Sequence, residues 1–441
     1  MFYELNQNAP PPNWPQSSCG VRAKLLRNDC IVTIPVLPQV NTLIVGTPGN
    51  GKTVLTKEIV QELFQQNPGM YAVFFQIKPD DFTQAFLRPQ DKVISYSPKA
   101  CPEGNLFKWN MVREVRSCKK EDWDAVLDEM TTILFSDLMQ DKRNLVWIDG
   151  ARRTFKAFLK VLLHQYGNNP SNYQVIQAMK TMPRKELLQF LAEYPPNRSM
   201  LMDDFDFDPS HCEKYTMPKK GHDIFFFVQH IIDRFGGTFL AEDGNDTIHD
   251  YLCGNYGERL FLLHDHKTRN SSKLFELFFL KYITDDKLSI TSRHSGDMCF
   301  ILDEIDKIEQ DFGLTQAITL GRQFGLFVIL ASQSIESLYA IAPELYGEHL
   351  TNAAMSGFGA IACYLPGDPY TIQTLQTLFG TKTKQIFTMP MFRYDKPTVT
   401  TQILPAVEDR DFASLGIGEC YIKIKSAEPE RVKILPRQEV T

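Results

Sequence analysis

The sequence predicts an α/β protein with a mainly parallel sheet, into which a largely helical domain is inserted. Three observations lead to this prediction. A short apolar strand, a glycine-rich loop and an amphipathic helix follow one another from residue 42 onward. Apolar runs typical of buried strands alternate with helical stretches before residue 110 and again after residue 256. Between these two regions, apolar residues recur at helical intervals.

The first of these features contains the motif G-x-x-x-x-G-K-[ST], the pattern of phosphate-binding P-loops. The apolar run 42–45 precedes the motif, and an apolar stripe at helical spacing follows it. Such a loop points backbone N–H groups at a polyanion, and the following helix adds its dipole. We therefore predict nucleotide binding by Gly46, Thr47, Pro48, Gly49, Asn50, Gly51, Lys52 and Thr53. Lys52 would reach the outer phosphates and the Thr53 hydroxyl would bind Mg²⁺, whereas an ordinary glycine-rich turn is the alternative.

Composition and charge exclude several classes of protein. With 441 residues, 43% of them hydrophobic, the chain can build about two to three domains. A formal net charge of -6 gives no overall attraction to nucleic acid or membranes, so any contact with DNA must be local. Cysteines occur without a C-x-x-C pair, which favours a reduced, cytoplasmic protein over a disulfide scaffold or zinc site. We also predict no signal peptide and no membrane-spanning segment, because no run of about 18 apolar residues exists.

The distribution of apolar runs predicts four segments. Residues 1–40 form an extended N-terminal segment with an edge strand at 30–34. Residues 41–110 form the first part of a nucleotide-binding core, 111–255 the helical insertion, and 256–441 the second part of the core. The acidic run 203–208 within the insertion is predicted to be an exposed loop. The predicted core strands are 42–45, 71–75, 93–96, 259–263, 298–302, 326–331, 358–364 and an edge strand at 420–424.

Two acidic residues directly follow the apolar strand 298–302. We predict that Asp303 anchors Mg²⁺ through its water shell and that Glu304 polarises the attacking water as a general base. An ordinary acidic turn is the alternative, and the P-loop favours the hydrolytic interpretation. The strand 326–331 ends just before Gln333. In a parallel sheet Gln333 would lie at the same edge as Asp303, where it could sense the γ-phosphate or orient water.

Arg322 lies at the end of the helix predicted before that strand. A guanidinium group suits the negative charge that develops on a transferring phosphoryl group. We therefore predict a catalytic role for Arg322, acting either within its own subunit or on the nucleotide of a neighbouring subunit. Capping of the helix is the alternative role.

A polar segment follows the predicted strand 259–263. His264 and His266 could lie on one face of an extended chain as metal ligands, but no third ligand is evident, so solvated polar residues at a strand end are favoured. Next along the chain, Lys267, Arg269 and Lys273 could touch DNA phosphates in a conducting pore. A solvated basic loop is the equally supported alternative.

The motifs after residue 299 resemble those of the type IV coupling proteins, the TraG/TraD-like ATPases of conjugative DNA transfer related to the FtsK/HerA motors. The resemblance rests on FILDE at 300–304, LGRQFG at 320–325 and LASQS at 330–334, with weaker similarity at 147–152, 368–380 and 415–420. It implies a RecA-like core with an all-helical domain, and ATP with Mg²⁺ as cofactors. It also implies that Arg322 is the arginine finger of a ring.

The same resemblance implies partners and location. The expected assembly is a homo-hexamer that passes DNA, free or bound to a relaxase, to the channel components of a type IV secretion system. The family usually has an N-terminal membrane anchor, and the apolar pattern predicts none here. We therefore expect a cytoplasmic protein, held at the inner face of the membrane through a partner. The alternatives are a nucleotide-dependent adaptor that recruits protein substrates and a HerA-like repair or packaging motor.

Overall fold

The computed structural model describes residues 12–15, 19–95, 101–102, 104–136, 138–167, 169–211, 213, 215–235, 244–254, 257–264, 269–289, 296–304, 312–340, 354–388 and 398–437. Contacts divide the chain into two compact units, Met1–Leu87 with Ser295–Thr441, and Arg88–His294. Among the described residues, no helix is long and apolar enough to span a bilayer.

The strands and helices are numbered in chain order. The strands are β1 (Gly20–Leu25), β2 (Ile31–Pro35), β3 (Thr42–Val45), β4 (Tyr71–Gln76), β5 (Lys92–Ser95), β6 (Arg259–Leu263), β7 (Met298–Asp303), β8 (Leu326–Ser332), β9 (Ala360–Cys363), β10 (Thr381–Thr388), β11 (Thr398–Pro405), β12 (Glu419–Ile424) and β13 (Glu430–Ile434). The helices are α1 (Lys52–Gln66), α2 (Pro79–Phe86), α3 (Met111–Arg116), α4 (Trp123–Leu134), α5 (Leu145–Gln165), α6 (Asn172–Thr181), α7 (Arg184–Ala192), α8 (Arg198–Phe205), α9 (Lys219–Phe235), α10 (Ile248–Leu252), α11 (Arg269–Lys287), α12 (Leu314–Leu320), α13 (Ile335–Ala340), α14 (Pro369–Phe379) and α15 (Asp409–Ala413).

The first unit is built on a mixed sheet in the order β2-β1-β13-β12-β9-β3-β8-β7-β4. The strands β9, β3, β8, β7 and β4 run parallel, whereas β12, β13, β1 and β2 continue the sheet antiparallel. Every residue of β4, β7 and β8 is buried. Continuous apolar runs suit such strands because parallel sheets are covered on both faces.

The structure tests the strands predicted at the margins of this sheet. The predicted edge strand at 30–34 is confirmed, because β2 is the last strand of the sheet. The prediction that 420–424 is an edge strand was wrong in its position. β12 pairs with both β9 and β13, so its carbonyl and N–H groups are satisfied on two sides. The hairpin β10–β11 forms a separate two-stranded sheet that was not predicted.

A buried asparagine joins the amino ends of three strands. The Asn41 side chain donates to the carbonyl oxygens of Ile318 (2.8 Å) and Gly357 (3.2 Å) and accepts from the Val328 N–H (2.9 Å). Removing it would leave buried backbone groups without partners, at a cost of ~1–3 kcal/mol for each such group.

Asn41→Ala is therefore expected to lower the free energy of unfolding by about 3 kcal/mol, measured by urea denaturation. Asn28→Ala is the matched control, because Asn28 accepts one exposed hydrogen bond from the Cys30 N–H. That change should cost less than about 1 kcal/mol. Equal stability losses for the two variants would contradict the role assigned to Asn41.

The second unit contains the parallel pair β5–β6 and the helices α3 to α11. The predicted helical insertion, 111–255, carries α3 to α10 and lies within this unit, whose boundaries are wider. Its long helices α5 and α9 pack closely at Gly150, where an added Cβ atom would lie 2.7 Å from Ile224 Cδ1. A glycine at this position lets the two helices approach.

The acidic run at 203–208 differs from the predicted exposed loop. Its first residues belong to α8, and Asp204 has a fully buried side chain. The Asp204 carboxylate pairs with Arg153 and Lys220, each at 3.0 Å. The loop prediction was wrong for this residue because two cations on neighbouring helices compensate the buried charge.

Candidate nucleotide-binding site

The carboxyl ends of three parallel strands meet at one edge of the sheet in the first unit. Val45 of β3 lies opposite Ser332 of β8, and Ala331 lies opposite Asp303 of β7. The Gly46 N–H continues this pattern by donating to Ser332 O (3.3 Å), and the Glu304 N–H donates to Ala331 O (3.0 Å). The loop, the two acids and Gln333 therefore leave the sheet side by side.

The P-loop needs its glycines for two different reasons. Gly46 (φ 153°) has no room for a side chain, since an added Cβ atom would lie 2.6 Å from Tyr364 Cβ. Gly49 (φ 81°) has open space around it, but its left-handed backbone conformation is strained for other residues. Pro48 and Gly49 form the exposed tip of the loop. The predicted strand–loop–helix arrangement of β3, loop and α1 is confirmed.

Hydrogen bonds hold the loop in place before any ligand binds. Both the N–H and the hydroxyl of Thr47 donate to Leu365 O, at 2.8 and 3.0 Å. The Asn50 amide donates to Thr47 Oγ1 (2.7 Å). At the other end, Gly51 precedes α1 and supplies no side-chain cap, and the amino end of a helix is a favourable place for an anion.

Lys52 and Thr53 occupy the first turn of α1. Lys52 is only 7% exposed, and its ammonium group donates to Gly46 O (2.6 Å) and Thr47 O (3.2 Å). The charge is therefore held directly over the loop, where it would meet bound phosphate. Thr53 is half-buried beside it, with a hydroxyl suited to Mg²⁺.

The two acids after β7 have different environments. Asp303 is buried, and its burial together with the nearby charges of Glu304 and Asp81 raises its pKa to about 6. Glu304 is half-buried in a left-handed conformation (φ 53°), and Gln333 Nε2 donates to its Oε1 at 3.4 Å. Since a bound cation would stabilise the Asp303 carboxylate, this donor set fits a divalent metal held mainly by phosphate and water oxygens.

A family profile identifies the protein family of this chain. The profile of the type IV secretion-system coupling protein DNA-binding domain matches residues 30–387, which is most of the sequence. The chain belongs to this coupling-protein family. The match includes the P-loop, both acids, Arg322 and Gln333.

Solved structures show the same fold. The unbound bacterial conjugative coupling protein TrwBdeltaN70 is 15% identical with a TM-score of 0.69, over 96% of this chain and 90% of that one. TrwB in complex with ADP and Mg²⁺ is 16% identical with a TM-score of 0.67, over 96% and 90% of the two chains. VirB4 of Thermoanaerobacter pseudethanolicus is 12% identical with a TM-score of 0.52, over 95% and 97%. The predicted RecA-like core with a helical domain is confirmed. Comparison with curated protein sequences gives no match.

Arg322 lies away from the other predicted site residues of this coupling protein. It is exposed in a short 3-10 helix, Gly321–Phe324, immediately before the amino end of β8. Gln333 follows the carboxyl end of the same strand, whose 7 residues span ~23 Å. An arginine side chain cannot bridge that distance, so Arg322 does not reach the P-loop of its own chain.

Two charged residues near Asp303 were not predicted from the sequence. Phe75 of β4 lies opposite Leu302 of β7, so the segment after β4 leaves the sheet beside Asp303. Lys78 and Asp81 in this segment act on the Asp303 charge, Lys78 lowering and Asp81 raising its pKa. The signal was present in the sequence, because both residues follow a predicted parallel strand.

The structure describes only one of the weaker candidate side chains in the second unit, that of His264. His264 is buried, and its Nδ1 lies 2.8 Å from Glu276 Oε2, so the prediction of a solvated residue was wrong. The carboxylate partner makes burial of the polar ring acceptable. Within the described part of the chain, no cluster of three or more His, Cys, Asp or Glu side chains is arranged to hold a metal ion. His266, Lys267 and the side chains of Arg269 and Lys273 lie outside the described residues.

Proposed function

We propose that this protein is an ATP-hydrolysing coupling protein that delivers DNA to a conjugative type IV secretion system. One observation carries the hydrolytic part of the proposal, namely the contact between Gln333 and Glu304 at the sheet edge that also carries the P-loop. The family profile describes a DNA-binding domain, which favours DNA over a protein substrate. Related TrwB structures hold a non-hydrolysable ATP analogue, or ADP with Mg²⁺.

The residues of the site would divide the work. The N–H groups of the P-loop and the Lys52 ammonium bind the β- and γ-phosphates. The Thr53 hydroxyl, and the Asp303 carboxylate through a water shell, would hold Mg²⁺, and the ion would supply positive charge to offset that of the phosphates. Glu304 accepts a proton from the attacking water, and Gln333 holds that water in line with the γ-phosphate.

The proposed function also includes assembly into a ring, in which Arg322 would act on a neighbouring subunit. Arg322 is exposed and lies at the edge of the sheet opposite its own P-loop. In a head-to-tail homo-hexamer, that surface of one subunit would face the nucleotide of the next. Arg322 would then act on a neighbouring subunit, as an arginine finger. Contact with the channel components would place the ring at the inner face of the membrane through a partner.

The test is ATP turnover with and without DNA. We expect added DNA to raise the rate of phosphate release, and Lys52→Ala to lower that rate about a hundredfold through the loss of a charge-assisted phosphate contact. Lys57→Ala is the matched control, because Lys57 lies on the same helix but outside the loop, and it should keep wild-type activity. Turnover that is absent, unaffected by Lys52→Ala, or independent of DNA would contradict the proposal.

A further inference from the structure

If the proposed ATPase function holds, the order of the strands determines on which side of the P-loop the base of a bound nucleotide lies. Around β3 the strands run β12-β9-β3-β8-β7. Glu304 and Gln333 follow β7 and β8, on one side of the loop, and their proposed roles as general base and water-orienting residue require the γ-phosphate on that side. The base must therefore extend to the other side of the loop, toward β9 and β12.

A loop before β12 lies at that end of the site. β12 runs antiparallel to β9 with Tyr421 opposite Cys363, so β12 begins at the carboxyl edge of the sheet. The Gly418 N–H donates to Asn50 O of the P-loop at 3.2 Å. A Cβ atom added to Gly51 would lie 3.8 Å from Gly418 Cα. This loop therefore touches the P-loop on the side away from the acids.

The carboxylate that follows this loop is already engaged. The Glu419 carboxylate accepts from the Gly416 N–H (3.2 Å) and from Arg431 Nη2 (2.7 Å). The Gly418 carbonyl accepts from the Ile434 N–H (3.1 Å). These bonds fix the loop before a ligand arrives, and they leave the Glu419 side chain occupied by its structural partners.

Two exposed apolar residues are close in sequence to the residues that make this contact. Ile417, immediately before Gly418, is 79% exposed, although an isoleucine usually lies inside a protein. Val54 follows Thr53 in the first turn of α1 and is 42% exposed. A flat heteroaromatic ring would cover such side chains and remove their apolar surface from water.

We propose that Ile417, supported by Val54, is the apolar platform for the base of the bound nucleotide. The base would be held by contact rather than by hydrogen bonds from side chains. The site would therefore accept adenine and guanine nucleotides with affinities within about threefold of each other.

The experiment compares two ligands that share the phosphates but differ in the base. Isothermal titration calorimetry would measure Mg²⁺-loaded ADPNP and Mg²⁺-loaded tripolyphosphate. Ile417→Ser should weaken ADPNP binding about fivefold, because apolar contact is lost, and leave tripolyphosphate binding unchanged. Ile417→Phe should strengthen ADPNP binding severalfold through stacking on the base. GDPNP should follow ADPNP in each variant.

Ile403→Ser is the matched control, since Ile403 is 73% exposed on the separate two-stranded sheet. It should change neither affinity. Unchanged ADPNP binding by Ile417→Ser, or an equal loss for both ligands, would overturn the base platform while leaving the proposed function intact. If the wild-type protein bound neither ligand, or if Lys52→Ala bound both normally, the proposed function itself would fail and the platform with it.

Discussion

Replacing Glu304 with glutamine is expected to lower the rate of ATP turnover about a thousandfold while nucleotide binding persists. The amide keeps the size of the side chain and can still contact Gln333, but it cannot accept the proton of the attacking water. Phosphate release would report turnover, and calorimetry with Mg²⁺-loaded ADPNP would report binding.

The conservative change isolates the chemistry from the backbone. Glu304 has a left-handed φ of 53°, and glutamine bears the same steric strain there as glutamate, so stability should change little. Glu336→Gln provides the control, because it removes a carboxylate from the exposed first turn of α13, just beyond Gln333. Turnover of Glu304→Gln within tenfold of wild type would exclude Glu304 as the general base. A parallel loss of ADPNP binding would assign Glu304 to ligand binding instead.

Local apolar patterns predicted the central strands of the sheet correctly but did not predict the position of β12 within it. The apolar runs at 298–302 and 326–331 became β7 and β8 because burial on both faces demands continuous apolar sequence. β12 lies inside the sheet because β13 pairs with its outer side. β13 is a strand of only 5 residues, and it lacks the continuous buried run that marks β7 and β8. Strand order arises from such long-range pairing, which hydrophobic periodicity does not encode.

Some features of the candidate site could likewise be predicted from the sequence, whereas others could not. Asp303, Glu304 and Gln333 could be placed together because each follows a predicted parallel strand, and these strands end at one edge. The same rule separates Arg322 from them, since it precedes β8 rather than following it. The contact of Gly418 with Asn50 had no sequence signal, because it joins backbone atoms of segments far apart in the chain.

Replacing Arg322 with alanine is expected to cause a second large loss of ATP turnover. If Arg322 stabilises the transferring phosphoryl group of a neighbouring subunit, Arg322→Ala should lower turnover by about 10³-fold or more in the assembled protein, with little change in ADPNP affinity. The side chain is exposed and its removal should leave the fold intact. Arg410→Ala serves as the control, because Arg410 is also exposed in the same unit and pairs only with Glu408 among the described ion pairs.

A mixing experiment distinguishes action in trans from a structural role. Arg322→Ala subunits retain an intact P-loop, whereas Lys52→Ala subunits retain an intact Arg322. Each variant alone should be inactive. In mixed rings, an Arg322→Ala site that faces a Lys52→Ala neighbour regains both groups, so random assembly should restore activity at about a quarter of the interfaces. A mixture that forms rings on gel filtration yet stays inactive would contradict the proposed action of Arg322 on a neighbouring subunit. Recovery requires Arg322 to reach across the interface, because the length of β8 separates it from the loop of its own subunit.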